Sequence, residues 1–202
     1  MTDHPAASAT PAPRATSDAP ASPTGVPGAA GSRVDSSAIP PAERPFAFAR
    51  VAWDDPRAVA LRARMDVEMG ERYHSGQPMD AAVLAALTVD PTSVQATVLV
   101  LDADGTPLAH AALRILRGEW EVKRVIVDGS QRGRGIGRAL MSELERIVRE
   151  AGPDARRMIL QTGDRQPEAV ALYTRLGYTP IPTYEPYVLA IPNSLCFELL
   201  LG

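Results

Sequence analysis

Apolar and polar positions along this chain recur in two rhythms, the two-residue period of a strand and the 3.6-residue period of a helix. Phe46–Val51 alternates as a half-buried strand does. Trp53-Asp54-Asp55-Pro56 then opens a helix, with carboxylates ahead of a proline suited to the first turn. Leu61, Met65, Met69 and Tyr73 step by four along one face of that helix, and Gly76-Gln77-Pro78 breaks it. Asp66, Glu68 and Glu71 lie on the same helix and read as its solvated side. A short second helix is predicted over Met79–Leu87.

A hairpin follows. Val94–Leu101 is rich in β-formers, Asp102-Ala103-Asp104-Gly105 is turn chemistry, and Pro107–Leu116 is the return strand. Arg117-Gly118 turns the chain into a third antiparallel strand, Glu119–Val127. His110, inside the return strand, reads as a packed histidine. Beyond a glycine-rich turn, Ile136, Leu140, Leu144, Ile147, Val148 and Ala151 recur at three- and four-residue steps, which predicts a long amphipathic helix stopped by Gly152 and Pro153. Arg157–Thr162 is a further strand, Gln166–Leu176 a helix ended by Gly177, and Leu195–Leu201 a last, almost wholly apolar strand. Pro180 and Pro182 predict an irregular stretch between them, with Tyr184-Glu185-Pro186-Tyr187 as an ordered loop. An antiparallel half followed by a crossover half predicts an α+β fold around one mixed sheet.

Composition divides the chain in two. Residues 1–45 hold nine of the 19 prolines and few large apolar side chains, so they cannot offset the entropy of ordering and are predicted to be a disordered linker. Residues 46–202 form one domain of ordinary size. A net charge of −3 leaves no basic surplus for a nucleic-acid backbone, and no apolar run suits a secretory leader or a membrane span. The single cysteine, Cys196, fits a reducing cytoplasm. The three histidines, His4, His74 and His110, are scattered, and no metal site is expected.

The chemistry is concentrated between the third strand and the long helix. Gly133, Gly135 and Gly137 alternate with Arg132, Arg134, Ile136 and Arg138 just where a helix N-terminus presents unpaired N–H groups. Glycine lets an anion approach that backbone, and arginine matches phosphate oxygens, so the turn reads as a phosphate cradle. It is neither a Walker A loop, lacking Gly-Lys-Ser/Thr, nor a Rossmann turn, whose third glycine falls here on Arg138 or Leu140. The pattern is R-x-x-G-x-G, and it resembles the acyl-CoA loop of the GCN5-related N-acetyltransferase (GNAT) superfamily. A second pattern, Gln166-x-x-Ala169-x-x-x-Tyr173-x-x-x-Gly177-Tyr178, resembles the family's N-x-x-A-x-x-x-Y-x-x-x-G-[FY] helix, with glutamine in place of asparagine. The stretch from Leu160 to Tyr178, with SLCFELLL near the end, is similar to a bacterial subgroup of general acetyltransferases.

The resemblance implies a three-layer α/β/α fold, acetyl-CoA as co-substrate and acetyl transfer to a primary amine. It implies that Arg132–Arg138 hold the pyrophosphate, that backbone N–H groups of Val125, Ile126 and Val127 hold the pantetheine, and that Gln166 adds a contact. An alkylamine is protonated at neutral pH, so the reaction needs a base; Glu121 stands where the family often places it, with Glu119 on the same strand face as the fallback. Tyr173 is the expected general acid for the departing thiolate. The expected acceptor is a small-molecule amine, and the enzyme a monomer or homodimer. A protein lysine or N-terminus as acceptor, or a non-catalytic CoA-binding module, are the alternatives.

Overall fold

A computed structural model describes residues 45–73 and 77–202. The predicted tail and the break at Gly76 lie outside the described residues. In chain order the elements are β1 (Ala47–Val51), α1 (Pro56–Tyr73), α2 (Ala81–Leu87), β2 (Val94–Leu101), β3 (Pro107–Leu116), β4 (Glu119–Val127), α3 (Ile136–Glu150), β5 (Arg157–Gly163), α4 (Pro167–Arg175), β6 (Thr179–Ile181), α5 (Tyr187–Ala190) and β7 (Ser194–Leu200). The strands form one mixed sheet in the order β1-β2-β3-β4-β5-β7-β6, antiparallel throughout except for the central β4–β5 pair.

Every strand and helix predicted from periodicity is present; besides two single 3-10 turns at Pro91–Ser93 and Gly129–Gln131, one strand and one α-helix were not foreseen. β6 carries Pro180, which a sheet tolerates because β6 is an edge strand paired only with β7. The second is the four-residue helix α5, inside the stretch expected as an ordered loop.

Two layers of helix cover the sheet. On one face α3 buries Ile136, Leu140, Met141, Leu144, Ile147 and Val148 against Val122, Leu160 and Phe197, with Tyr173 and Tyr178 completing this larger core. Each such side chain is worth about 1.5–3 kcal/mol of burial, so the six from α3 alone account for much of what holds this layer on. On the other face α1 sets Ala58 and Leu61 against Leu99 and Ile126 in a smaller core. Asp66 and Glu68 stay partly exposed, as a solvated face requires, but both are ion-paired, Asp66 with Arg124 and Glu68 with Arg72 and Arg132.

Candidate active site

The site begins where the two parallel strands separate. β4 and β5 are in register only at Trp120–Met158, Glu121–Ile159 and Val122–Leu160. Past that point β4 follows β3 as far as Val127, and β5 follows β7 as far as Gly163. Alternate backbone groups of Lys123–Val127 that would have met β5 are therefore left without a strand partner, and a fork opens with its apex at Val122 and Leu160.

A β-bulge opens the fork. Arg124 and Val125 together oppose the single residue Ala111, because Ala112 pairs with Lys123 and His110 with Ile126. Arg124 sits at φ 57, a conformation L-residues rarely take, and such a bulge bends and twists its strand. His110 fastens it. Its Nε2 lies 3.2 Å from an Arg62 guanidinium nitrogen, which has only protons to give, so Nε2 accepts and Nδ1–H donates to the Arg124 carbonyl at 2.8 Å. Burial holds the His110 pKa down at about 4, so the ring stays neutral and the tautomer is fixed. The histidine is packed, as expected of its strand position.

Asp128, at the end of β4, accepts from Ser130 N at 3.0 Å and turns the chain through Gly129–Gln131 into the glycine loop. Gly135 is the N-cap of α3 at φ 78 and brings no side-chain cap, so the first-turn N–H groups are left for an anion. Gly137 sits close to α4 and β4: a Cβ there would come into van der Waals contact with Leu172 Cδ2 at 3.4 Å and Val127 Cγ2 at 3.6 Å. Gly133 (φ 82) and Ile136, buried in the core, complete the turn, with Arg138 in the first turn of α3 and Arg134 bonded to Gln131.

Arg132 donates to both Glu68 oxygens, at 2.8 and 2.6 Å. Glu68 also accepts from Arg72 at 3.1 Å, and Arg72 reaches Glu168 and the Arg165 carbonyl beside α4. The end of α1 thus links the β4–α3 and β5–α4 loops by a chain of ion pairs. Tyr73 Oη accepts from Arg165 N at 2.8 Å and fills the space over Gly163, where a Cβ would fall 2.1 Å from that oxygen. Gln166, the N-cap of α4, packs over the same glycine without capping its helix.

Tyr173 projects from α4 onto the α3 face of the sheet. Its ring packs on Phe197 with centroids 6.2 Å apart, and Phe197 is level with Leu160 at the apex of the fork. Thr97 Oγ1 is the one buried side-chain oxygen without a partner among the described residues. Tyr173 is 6 % exposed and its hydroxyl has no hydrogen-bond partner among the described residues, so that hydroxyl opens to solvent. Burial of the ring pushes its pKa well above the usual phenol value, which keeps the proton on the oxygen.

Glu121 faces the other way, and its surroundings were not foreseen. It is 0 % exposed. Oε2 accepts from Arg114 Nε at 2.5 Å, while Oε1 accepts from Tyr184 Oη at 2.9 Å and Tyr187 Oη at 2.8 Å. Lys123, two residues on and 5 % exposed, donates to Tyr187 Oη at 2.8 Å. Glu119 lies farther from the fork and pairs with Arg157. It lines a groove of about 410 Å³ whose wall includes Tyr184. Arg114 was not singled out in the sequence, Lys123 was not assigned to the site, and Tyr184 and Tyr187 were expected only as part of an ordered loop; the signal was Arg114 opposite Glu121 across the hairpin and Lys123 two residues along the same face.

The sequence profile of the acetyltransferase (GNAT) family matches residues 50–178. The chain belongs to this family. It is an N-acetyltransferase, and the family draws its acyl group from acetyl-CoA. Among relatives, an IAA acetyltransferase of Azospirillum brasilense is 32% identical over 133 residues, covering 64% of this chain and 81% of that protein. A Klebsiella pneumoniae protein described as an acyl-CoA N-acyltransferase superposes with a TM-score of 0.63 at 28% identity, over 78% of this chain and 98% of the other. A Staphylococcus aureus GNAT acetyltransferase superposes at 0.60 with 14% identity, over 78% and 99%, and shows the fold alone. No helix among the described residues is long and apolar enough to cross a membrane.

Proposed function

We propose that the chain transfers the acetyl group of acetyl-CoA to a primary amine of a small molecule by direct attack on the thioester. The observation that carries this reading is the fork between β4 and β5, with an uncapped helix N-terminus at one end and the Tyr173 ring packed on Phe197, which is level with its apex. In this reading the Gly133–Arg138 turn takes the pyrophosphate, with Arg132 exchanging Glu68 for phosphate oxygens and Gln166 closing the far side. Backbone N–H groups of Val125, Ile126 and Val127 that are not taken by β3 hold the pantetheine and polarise the thioester carbonyl, as fixed donors do in an oxyanion hole. Tyr173 protonates the departing sulfur. Glu121 is the carboxylate through which the acceptor's proton is removed. The buried thiol of Cys196 is compatible with work in the cytoplasm.

The test is thiol release from acetyl-CoA across a panel of small primary amines, with lysine-bearing peptides and protein N-termini alongside, and the acetylated product identified by mass spectrometry. The proposal expects amine-dependent release with a small amine as the best acceptor. Release with peptides only, or none with any acceptor, overturns it.

A further inference from the structure

The amine must lose a proton before it attacks, and the carboxylate assigned to that task cannot reach it. Both Glu121 oxygens are engaged by Arg114, Tyr184 and Tyr187, and the side chain is wholly buried. A group that removes a proton must come within hydrogen-bonding distance of it. Glu121 therefore acts through something else.

Register and side-chain direction identify the intermediary. Lys123 is the first β4 residue beyond the last β4–β5 pair, so it stands at the apex of the fork. It lies on the strand face opposite Val122, and Val122, Leu160 and Phe197 share the face where Tyr173 packs. The apex thus has Tyr173 on one face and Lys123 on the other. Of the three donor positions on Lys123 Nζ, the hydrogen bond to Tyr187 Oη occupies one.

From there a continuous path runs to water. Lys123 Nζ donates to Tyr187 Oη at 2.8 Å, Tyr187 Oη donates to Glu121 Oε1 at 2.8 Å, and Tyr184 Oη meets the same oxygen at 2.9 Å. Tyr184 in turn lines the groove bounded by Glu119, Arg157 and Glu198. Resting on the acetyl-transfer reading above, we propose that Lys123 is the catalytic base that deprotonates the acceptor amine, and that Tyr187, Glu121 and Tyr184 carry the proton from it to the groove.

The protons balance. One N–H bond of the substrate ammonium breaks as the Lys123 Nζ–H bond forms, and that proton leaves along the relay, with the Tyr184 hydroxyl turning to hand it to groove water. The amine nitrogen bonds to the thioester carbon, the C–S bond breaks, and sulfur takes the Tyr173 proton. The adduct's remaining ammonium proton restores Tyr173, so one proton is released per turnover. Glu121, Tyr187 and Tyr184 are positioning and relay residues, since none of them touches the amine.

A base must spend time neutral at working pH. The groups facing Lys123 are Glu121 and Arg124 on its own strand, Arg114 on β3, Cys196 on β7 and Tyr187 on α5. Burial lowers its pKa to about 8, against the opposing pull of Glu121. Activity carried by neutral Lys123 therefore rises with pH and levels off above about 8.

The experiment is a pH profile of kcat/KM for acetyl-CoA and a responsive amine in the wild type, Lys123→Met, Lys123→Arg and Tyr187→Phe, with acetyl-CoA affinity measured by calorimetry for each. The wild type should show a limb near pH 8. Both Lys123 variants should bind acetyl-CoA with unchanged Kd, lose roughly 10²- to 10⁴-fold in rate, and follow only the amine's own titration near pH 10. Lys123→Arg keeps the buried charge but cannot give up its proton, so it separates the base from a merely structural cation. Tyr187→Phe should lower kcat with Kd intact. If either Lys123 variant keeps the limb near pH 8 and a rate within threefold of wild type, Lys123 is not the base; full kcat in Tyr187→Phe overturns the relay. A wild type that transfers acetyl to no amine overturns the underlying reading and this inference together.

Discussion

Removing the Tyr173 hydroxyl should separate catalysis from stability unusually cleanly. The ring packs between Tyr178 and Phe197, with centroids 5.8 and 6.2 Å away, and phenylalanine preserves both contacts. The hydroxyl has no partner among the described residues, so its loss leaves no buried partner there unsatisfied, and the change in stability should stay within about 0.5 kcal/mol. For a domain of this size that moves the melting temperature by only about 2 °C. A general acid positioned on the leaving group is worth roughly 10²–10⁴ in rate, or about 2.7–5.5 kcal/mol of barrier. Tyr173→Phe should therefore unfold with the wild type while kcat for amine-dependent thiol release falls at least a hundredfold. The opposite pattern, a kcat within threefold of wild type and a melting temperature lower by 5 °C or more, would assign Tyr173 to the core and remove it from the mechanism.

Other consequences follow from the same geometry. Arg114→Leu leaves the buried Glu121 carboxylate without its cation, and loss of one partner of a buried pair costs about 3–5 kcal/mol; urea unfolding that shows under 1 kcal/mol would refute the buried pair. His110 has a folded pKa near 4 against 6.5 free, so the folded state binds fewer protons than the unfolded chain between those values. Stability from this group is complete above pH 6.5 and falls by about 3 kcal/mol as pH drops to 4, and His110→Gln should flatten that part of the profile. A slope unchanged by the substitution would show that other groups carry it. Glu68→Gln frees Arg132 from a partly exposed carboxylate, and since such pairs are worth under about 1 kcal/mol, acetyl-CoA should bind up to about fivefold tighter at low salt. That gain should vanish at 1 M salt, and weaker binding by the variant would contradict the competition.

Period and punctuation made most of the fold legible before any coordinate. The i, i+3, i+4 recurrence from Ile136 to Val148 located the helix that carries the main core, and the Gly133–Gly137 spacing located the turn that begins it. β6 and α5 escaped because neither is long enough to establish a period, and Pro180 argued locally against a strand that only an edge position permits. The fork itself has no local signature. It arises from a bulge at Arg124, a residue with no intrinsic preference for positive φ, held there by a histidine fourteen positions earlier. The polar cluster was equally hidden: Glu121 is one carboxylate in a strand until β3 sets Arg114 opposite it and the C-terminal segment delivers Tyr184 and Tyr187. Tyr173 could be proposed from the sequence because its helix carries a spaced pattern, whereas Lys123 can be proposed only from the length of the β4–β5 ladder.

The central claim is that the fork and its glycine turn hold acetyl-CoA, and calorimetric titration of acetyl-CoA into the wild type and Gly135→Val tests it directly. Gly135 caps α3 at φ 78, where a β-branched residue costs about 1–3 kcal/mol and must pull the first-turn N–H groups out of line. The account predicts one acetyl-CoA bound per wild-type chain and no measurable binding to a variant that circular dichroism shows to be folded. Equal affinity in the two proteins would place the coenzyme elsewhere and contradict the account.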